Sequence, residues 1–252
     1  MKKTGLYSRI TVAAFCAVLS VALLSGCVVI SFDAINGGSL RGEGDLETFT
    51  YDVGEFTEIS VDLLCEVEYY SAPSSSVTLT IFPNLREHVD VEVSGGVLSA
   101  KTNRNISWYD DAPVLTIKSP NLKKVAINGA GSFTAHDKLT ADSFEFDLDG
   151  AIDAKADLDV SKLSVSVAGI VNLELSGSAD KAVISADGTS KIDALSLRVR
   201  DASVSLAGLS TVSVNCSDNL FLEADGLGTV EYIGSPVIDM DTDGLVSIKK
   251  VG

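Results

Sequence analysis

The most regularly spaced carboxylates in the sequence each stand directly before a glycine: Asp149, Asp187, Asp225 and Asp243. Carboxylate oxygens brought together on one surface are ligands for Ca²⁺, so calcium binding is the chemistry that this column could perform. Ala168 and Ala207 occupy the equivalent position in two other units and interrupt the column. An aspartate before a turn glycine also has a backbone explanation, because its side chain hydrogen-bonds its own turn. The sequence therefore predicts turns at these positions, and we expect no metal site.

Few side chains in the sequence have the types and spacing that catalysis requires. The two histidines, His88 and His136, fall in separate predicted turns, and their spacing makes neither a metal pair nor an evident triad. An enzyme that cleaves polysaccharides would need paired carboxylates, or acids clustered with arginine or lysine. The nearest approach is the turn that holds Arg198, Arg200 and Asp201. A lone basic turn beside one acid is typical of a soluble surface, so we predict no catalytic residues and no cofactor.

One loop combines the only tryptophan of the chain with an aromatic neighbour and two acids, in the order Trp108, Tyr109, Asp110, Asp111. This is the composition of a contact with a sugar or a protein. The alternative is that Trp108 fills the end of the hydrophobic core, because single tryptophans are highly buried on average. These four residues are the candidate ligand-binding site.

Residues 1–26 have the pattern of a signal peptide. A short basic start is followed by the apolar run Ile10–Leu24, which is shorter than a membrane span, and then by Leu24-Ser25-Gly26-Cys27. The last four residues resemble a bacterial lipobox, which implies diacylglycerol on the Cys27 sulfur and cleavage before it. Val28 follows the cysteine, which by resemblance to sorting signals favours the outer membrane if the cell has one. The alternative is an ordinary secretory signal with a chance cysteine.

The charge of the chain is strongly negative. Loss of Lys2, Lys3 and Arg9 with the signal would move the formal net charge from −16 to −19. Nucleic acids and anionic headgroup surfaces bind basic patches, so neither is an expected partner. Cys65 and Cys216 could form a disulfide in an oxidising envelope. Cys65 follows two leucines, however, and is better explained as a buried thiol.

The elements that must position these groups are copies of one short unit. Its seven central glycines lie 18 to 21 residues apart: Gly129, Gly150, Gly169, Gly188, Gly208, Gly226 and Gly244. Residues two and four positions before each glycine are almost all apolar, the residue between them is small or polar, and alternation resumes afterwards. Period two predicts strands with one buried face, joined at the glycine. The Asp-Gly pairs would also suit hairpins, but like residues stay in phase through all units, which favours a parallel β-helix.

The remaining segments are less regular. Residues 27–45 are glycine-rich and are predicted to be a lipidated tether. Residues 46–122 are predicted to form irregular first coils, with a helical turn at Pro83–His88 and a turn at Gly95-Gly96. Together with the repeats of residues 123–252 they make a single domain, 46–252. The last unit lacks a cap, so either Lys249 and Lys250 guard its edge by charge or the edge pairs with another chain.

Several stretches resemble one known family. The runs FTEISVDLLCEVEY and VDVEVSGGVLSAKT, followed by the units NGAGSF, DGAID, AGIVN and SGSAD, are similar to the auto-transporter adhesin head GIN domain family, formerly a domain of unknown function. The resemblance extends from about Phe49 to the C terminus. It implies a right-handed parallel β-helix on a bacterial envelope protein, and the family has no active site to transfer.

The sequence thus predicts a lipid-anchored, non-enzymatic protein of the cell envelope with an adhesin-like or structural binding surface. A glycan or an envelope protein is the expected partner, in addition to the membrane that holds the lipid. The middle coils offer a face of short hydroxyl side chains for such contacts: Ser164, Ser166, Ser185, Ser203, Ser205, Thr211 and Ser213. The alternatives are a polysaccharide-acting enzyme on the same scaffold and a component that self-assembles through its C-terminal coil.

Overall fold

The computed structural model of the chain describes residues 40–107 and 112–252. These residues form an all-β fold in which 12 strands belong to one sheet. The strands are β1 Glu47–Tyr51, β2 Glu58–Asp62, β3 Cys65–Ser71, β4 Ser76–Ile81, β5 Val89–Ser94, β6 Val97–Thr102, β7 Val114–Ser119, β8 Lys124–Ala135, β9 Leu139–Ala224, β10 Leu227–Ile233, β11 Val237–Thr242 and β12 Leu245–Lys250. A 3₁₀ helix, Pro83–His88, lies between β4 and β5 and confirms the predicted helical turn.

The repeating units pair with one another in parallel and in the register that the sequence predicts. Strand β8 lies beside the start of β9, with Val125 opposite Phe146, Ile127 opposite Leu148 and Gly129 opposite Gly150. The same columns continue at the other end, where β10 pairs in parallel with both β9 and β12. Corresponding side chains therefore stack in columns, because each unit repeats the alternation of the unit before it.

Strand β9 cannot be straight, because its 86 residues would extend about 280 Å at about 3.3 Å per residue. Side chains 19 or 20 positions apart contact each other instead. The Asn172 amide donates to Asp153 at 2.8 Å, and the Ser190 hydroxyl donates to Ser210 at 2.9 Å. Strand β9 therefore consists of several successive layers, and each layer lies on the preceding one.

The central glycines are where successive layers approach most closely. At Gly150, φ is 134° and a Cβ atom would collide with the backbone carbonyl oxygen of Gly129. The same collision with the preceding central glycine would occur in every later unit, at Gly169, Gly188, Gly208, Gly226 and Gly244. All of these units thus require glycine because of the space between layers, and Gly150, Gly169, Gly188 and Gly208 also have a positive φ that favours glycine.

The N-terminal strands combine parallel and antiparallel pairing, which explains their irregular sequence pattern. Strand β2 is parallel to β6 and β8, and β3 is parallel to β7 and β8. Strands β1, β4 and β7 pair in antiparallel fashion, as do β5 and β6. Strands β5 and β6 are joined at Gly95 and Gly96, whose φ angles are 61° and 83°, as expected for the predicted turn.

The core is continuous and consists of the inward-facing side chains of successive layers. Phe133, Phe144 and Phe146 are at most 1% exposed and form an aromatic cluster in the first two repeating units. The Tyr69 hydroxyl, which is also buried, donates to the carbonyl oxygen of Ser119 at 2.9 Å. This bond satisfies a polar group that would otherwise cost free energy inside the core. In residues 40–107 and 112–252, no helix is both long and apolar enough to cross a membrane.

Candidate functional site

Both sites predicted from local motifs lie outside the described residues: the lipidation site Cys27 and the loop Trp108–Asp111. The structure does fix the start of that loop. Leu40 and Ile106 form an isolated parallel bridge, and the Leu40 amide donates to the carbonyl oxygen of Asn105 at 3.1 Å. The segment leading to the aromatic loop is therefore held against the chain that precedes β1.

A cleft of about 510 Å³ lies at the outer edge of the N-terminal strands. It is lined by the aromatic ring of Tyr51 on β1, by Arg86 on the 3₁₀ helix, and by Asp90, Glu92 and Lys101 on β5 and β6. The sequence patterns did not indicate this cleft, because its residues come from three separate segments. Only the antiparallel pairing of β5 with β6 and the position of the helix bring them together.

The Arg86 side chain contacts two aromatic rings, of which that of Tyr51 lines the cleft. The Arg86 guanidinium lies 5.1 Å from the ring centre of Phe49 and 5.8 Å from that of Tyr51, which are cation–π distances. The Tyr51 hydroxyl is buried without a hydrogen-bond partner in the described structure, and burial raises the pKa of this phenol. A buried donor without a partner is costly, so this hydroxyl lowers the stability of the N-terminal strands locally.

The predicted hydroxyl face is divided between two strands. Ser164, Ser166, Ser185, Ser203 and Ser205 precede the central glycines of their units, whereas Thr211 and Ser213 follow Gly208. The two groups therefore stand on either side of the glycine position and do not form one flat surface. Ser213 is only 7% exposed, because the smaller hydroxyl side chain lies beside the longer Glu231 of the next layer.

The turn with Arg198, Arg200 and Asp201 is the nearest approach to a catalytic arrangement. Its ion pairs link successive layers. The Arg200 guanidinium lies 3.3 Å from Asp201 and 4.0 Å from both Asp180 and Asp218. The Asn219 amide donates to Asp201 at 2.6 Å. This hydrogen bond, together with Arg200, lowers the pKa of the Asp201 carboxyl. Arg200 thus compensates the adjacent Asp201 and one carboxylate on each neighbouring layer, which gives it a structural explanation.

The histidines also contact neighbouring side chains. The ring of His136 stacks on Tyr70 with 4.4 Å between ring centres and forms an ion pair with Glu68 when protonated. His88 lies 3.5 Å from Glu87. Over the described ranges, no three side chains of His, Cys, Asp or Glu converge so that they could hold a metal ion. The aspartates before the central glycines do not form such a group.

Cys65 and Cys216 are both buried free thiols rather than a disulfide. Burial raises the pKa of the Cys65 thiol to about 12. The Cys216 thiol donates to the carbonyl oxygens of Arg200 and Asn219 at 3.2 and 3.1 Å. Neither thiol has the lowered pKa that marks a reactive cysteine.

The last layer leaves apolar side chains exposed. Strand β11 pairs with β9 and β12 pairs with β10, and neither has a second partner in the described chain. Met240 continues a column of inward-facing residues but is 54% exposed, and Leu245 is 78% exposed. This end of the sheet therefore presents both unpaired backbone groups and apolar surface.

Comparison with known proteins supplies a family. The sequence model of the family described as "Putative auto-transporter adhesin, head GIN domain" matches residues 55–236. No match to a curated protein was found.

Solved structures supply a fold. A crystal structure described as a "putative adhesin" from Bacteroides fragilis is 23% identical, with a TM-score of 0.80, and the match covers 84% of this chain and all of that one. A "putative lipid binding protein" from Parabacteroides distasonis is also 23% identical, with a TM-score of 0.69 over 85% of this chain and all of that one. A "putative adhesin" from Parabacteroides merdae is 20% identical, with a TM-score of 0.60 over 85% and 99% of the two chains. At these identities the likeness concerns the fold alone.

Proposed function

Because this chain belongs to the head GIN domain family of auto-transporter adhesins, we propose that it is a lipid-anchored envelope protein with a non-catalytic binding surface. In this proposal residues 1–26 are a signal peptide, Cys27 carries the lipid, residues 27–45 form the tether, and residues 46–252 form one right-handed parallel β-helix domain. The anchor places the protein in the outer membrane of a cell that has one. The ligand is a glycan or an envelope protein.

The observation that supports binding rather than catalysis is that the charged groups nearest to a catalytic arrangement form structural ion pairs. Arg200, the arginine nearest to a catalytic arrangement, lies between carboxylates of neighbouring layers. The N-terminal cleft, in contrast, is lined by the ring of Tyr51 and by Arg86, whose guanidinium also lies 5.1 Å from the ring centre of Phe49. Aromatic rings beside polar groups are suited to binding sugars and proteins.

The anchor is tested by expressing the full chain with and without Cys27→Ser. We expect the natural chain to incorporate labelled palmitate and to sediment with membranes, and the variant to lose both properties. Retention of the label by the variant would contradict the lipid anchor.

The binding surface is tested by presenting the purified chain to envelope extracts, neutral and charged glycans, and phospholipid vesicles, while glycan cleavage is followed in the same samples. The vesicles are included because one structural neighbour is described as a lipid binding protein. We expect retention of a glycan or an envelope protein without cleavage. Turnover of a polysaccharide would instead establish the enzyme on the same scaffold.

Self-assembly is a second candidate, favoured by the exposed last layer. Strand β11 carries Asp239 and Asp241, whereas β12 carries Lys249 and Lys250. A second copy related by a two-fold axis would place the acidic strand of one chain against the basic strand of the other and cover Met240. Opposite charges facing each other across strands stabilise such a pairing.

A proline at Val246 tests this assembly. The Leu245 amide donates to Gly226 in the preceding layer at 3.0 Å, so the amide of Val246 points toward the open edge. We expect Val246→Pro to remove a concentration-dependent increase in mass by light scattering while the chain stays folded. Ser247→Pro, whose amide faces the preceding layer, is expected to destabilise the last layer itself. A natural chain that is monomeric at all concentrations would refute assembly.

A further inference from the structure

A groove of about 490 Å³ runs across the first layers of the repeat and gathers lysines in a chain of formal charge −16. Four lysines line it: Lys123, Lys124, Lys162 and Lys181. Among the described residues that line it, the acids are Glu58 and Glu145. The groove is therefore a local positive site on an acidic protein.

Three of the four lysines are available to a ligand. Lys124 is held by Glu145, whose carboxylate lies 2.7 Å from the ammonium group. Lys123, Lys162 and Lys181 are exposed, and within the described ranges no carboxylate lies within 4.0 Å of their ammonium groups. The charge of Lys181 also acts on Asp201, because it contributes to the lowered pKa of that carboxyl.

Lys162 and Lys181 lie on adjacent layers at equivalent positions. They are 19 residues apart, the same offset that brings Asn172 to Asp153 and Ser178 to Asp159. Adjacent strands are about 4.8 Å apart, and like charges that face each other across strands are destabilising. An anionic group between these ammonium groups would relieve the repulsion, so the groove favours an anion at this point.

The rest of the lining fits a carbohydrate. Val183 is 54% exposed and offers apolar surface, while Ser143 and Ser164 offer hydroxyl groups on neighbouring layers. Sugar rings combine apolar faces with hydroxyl groups, so both kinds of contact would be used. Nucleic acid is a poorer fit because it carries one charge per about 1.7 Å, and the surrounding acidic surface would repel so dense a polyanion.

We propose that this lysine groove binds an anionic polysaccharide whose carboxylate or phosphate groups lie between Lys162 and Lys181. The proposal rests on the binding function proposed above and names a ligand class and a site for it. The lysines contribute to binding through their charge. The groove contributes through its length along the stacked layers. Binding is therefore expected to weaken as salt is added.

Matched dextrans test the groove with the full chain. Neutral dextran, carboxymethyl dextran and phosphate-bearing dextran share one backbone and differ in charge. We expect at least one charged dextran to bind and neutral dextran not to bind. The double variant Lys162→Gln with Lys181→Gln is expected to bind the charged polymer about fivefold more weakly than the natural chain does. The polymer that binds identifies the anion as carboxylate or phosphate.

The control variant combines Lys155→Gln with Lys191→Gln, which removes the same charge from strands that follow the central glycines. We expect its affinity and that of the natural chain to agree, with all three proteins melting at similar temperatures. Equal weakening in both variants, or no weakening in the groove variant, would refute the groove. Failure of the natural chain to bind either charged dextran would also refute it. Retention of other envelope material in that case would leave the proposed function standing.

Discussion

Replacement of Gly150 by alanine is expected to lower the free energy of unfolding by about 4 kcal/mol or more, the range reserved for severe backbone or core defects. The new Cβ would meet the carbonyl oxygen of Gly129 while the backbone holds φ at 134°. Neither problem can be relieved by rotating a side chain, because the obstacle is backbone in the preceding layer. The layers would have to separate and lose hydrogen bonds. Urea unfolding followed by circular dichroism measures the change.

Two other glycines separate the causes of this effect. Gly96 has φ of 83° but open space where a Cβ atom would lie, and Gly54 has neither constraint. We expect Gly96→Ala to cost about 1 kcal/mol from backbone strain, and Gly54→Ala to change stability by about 0.5 kcal/mol or less. If Gly150→Ala cost no more than Gly96→Ala, close packing of the layers at the glycines would be wrong.

Replacement of Phe146 by alanine is expected to cost about 4 kcal/mol, because a large buried ring is lost and a cavity remains. The ring of Phe146 is 0% exposed and lies 4.9 Å from that of Phe144 and 5.9 Å from that of Phe133, measured between ring centres. Few neighbours can move into the space, because the layers above and below hold the backbone in place. Chemical denaturation measures the loss.

Phe221→Ala is the matched control, since the same atoms are removed from a ring that is 39% exposed. We expect it to cost about 1 kcal/mol or less. Equal losses at both positions would contradict the assignment of Phe146 to the interior column.

The sequence predicts the repeating part of the fold well because each unit carries the same local information. Alternation identifies the buried face and the shared glycine sets the phase, so the pattern by itself places Val125 opposite Phe146. The N-terminal strands have no repeated residue that sets their alignment with one another. The antiparallel pairing of β1 with β4 and of β4 with β7 joins segments that differ in spacing and length, and alternation alone cannot choose between partners.

The candidate surfaces were harder to predict for a related reason. The hydroxyl face was inferred from composition, but Thr211 lies on the other side of its central glycine from Ser205. The lysine groove contains no local motif. Its signal in the sequence is the 19-residue spacing of Lys162 and Lys181, which matches the spacing of Gly169 and Gly188. Equivalent positions of successive units therefore carry the signal, and no single unit does.

The central structural claim is that each unit lies in register on the unit before it, and a cross-link between Asp153→Cys and Asn172→Cys tests it most directly. Adjacent strands about 4.8 Å apart fall within the Cα separation of about 4.4–6.8 Å that a disulfide spans. The natural side chains at these positions are already 2.8 Å apart. Asp147→Cys with Asp153→Cys is the control, because these positions would lie opposite each other if the unit were a hairpin with a three-residue loop centred on Gly150. Stacked units predict a disulfide between positions 153 and 172 by mass spectrometry of non-reduced peptides. A disulfide between 147 and 153 in the control, with none between 153 and 172, would contradict the account.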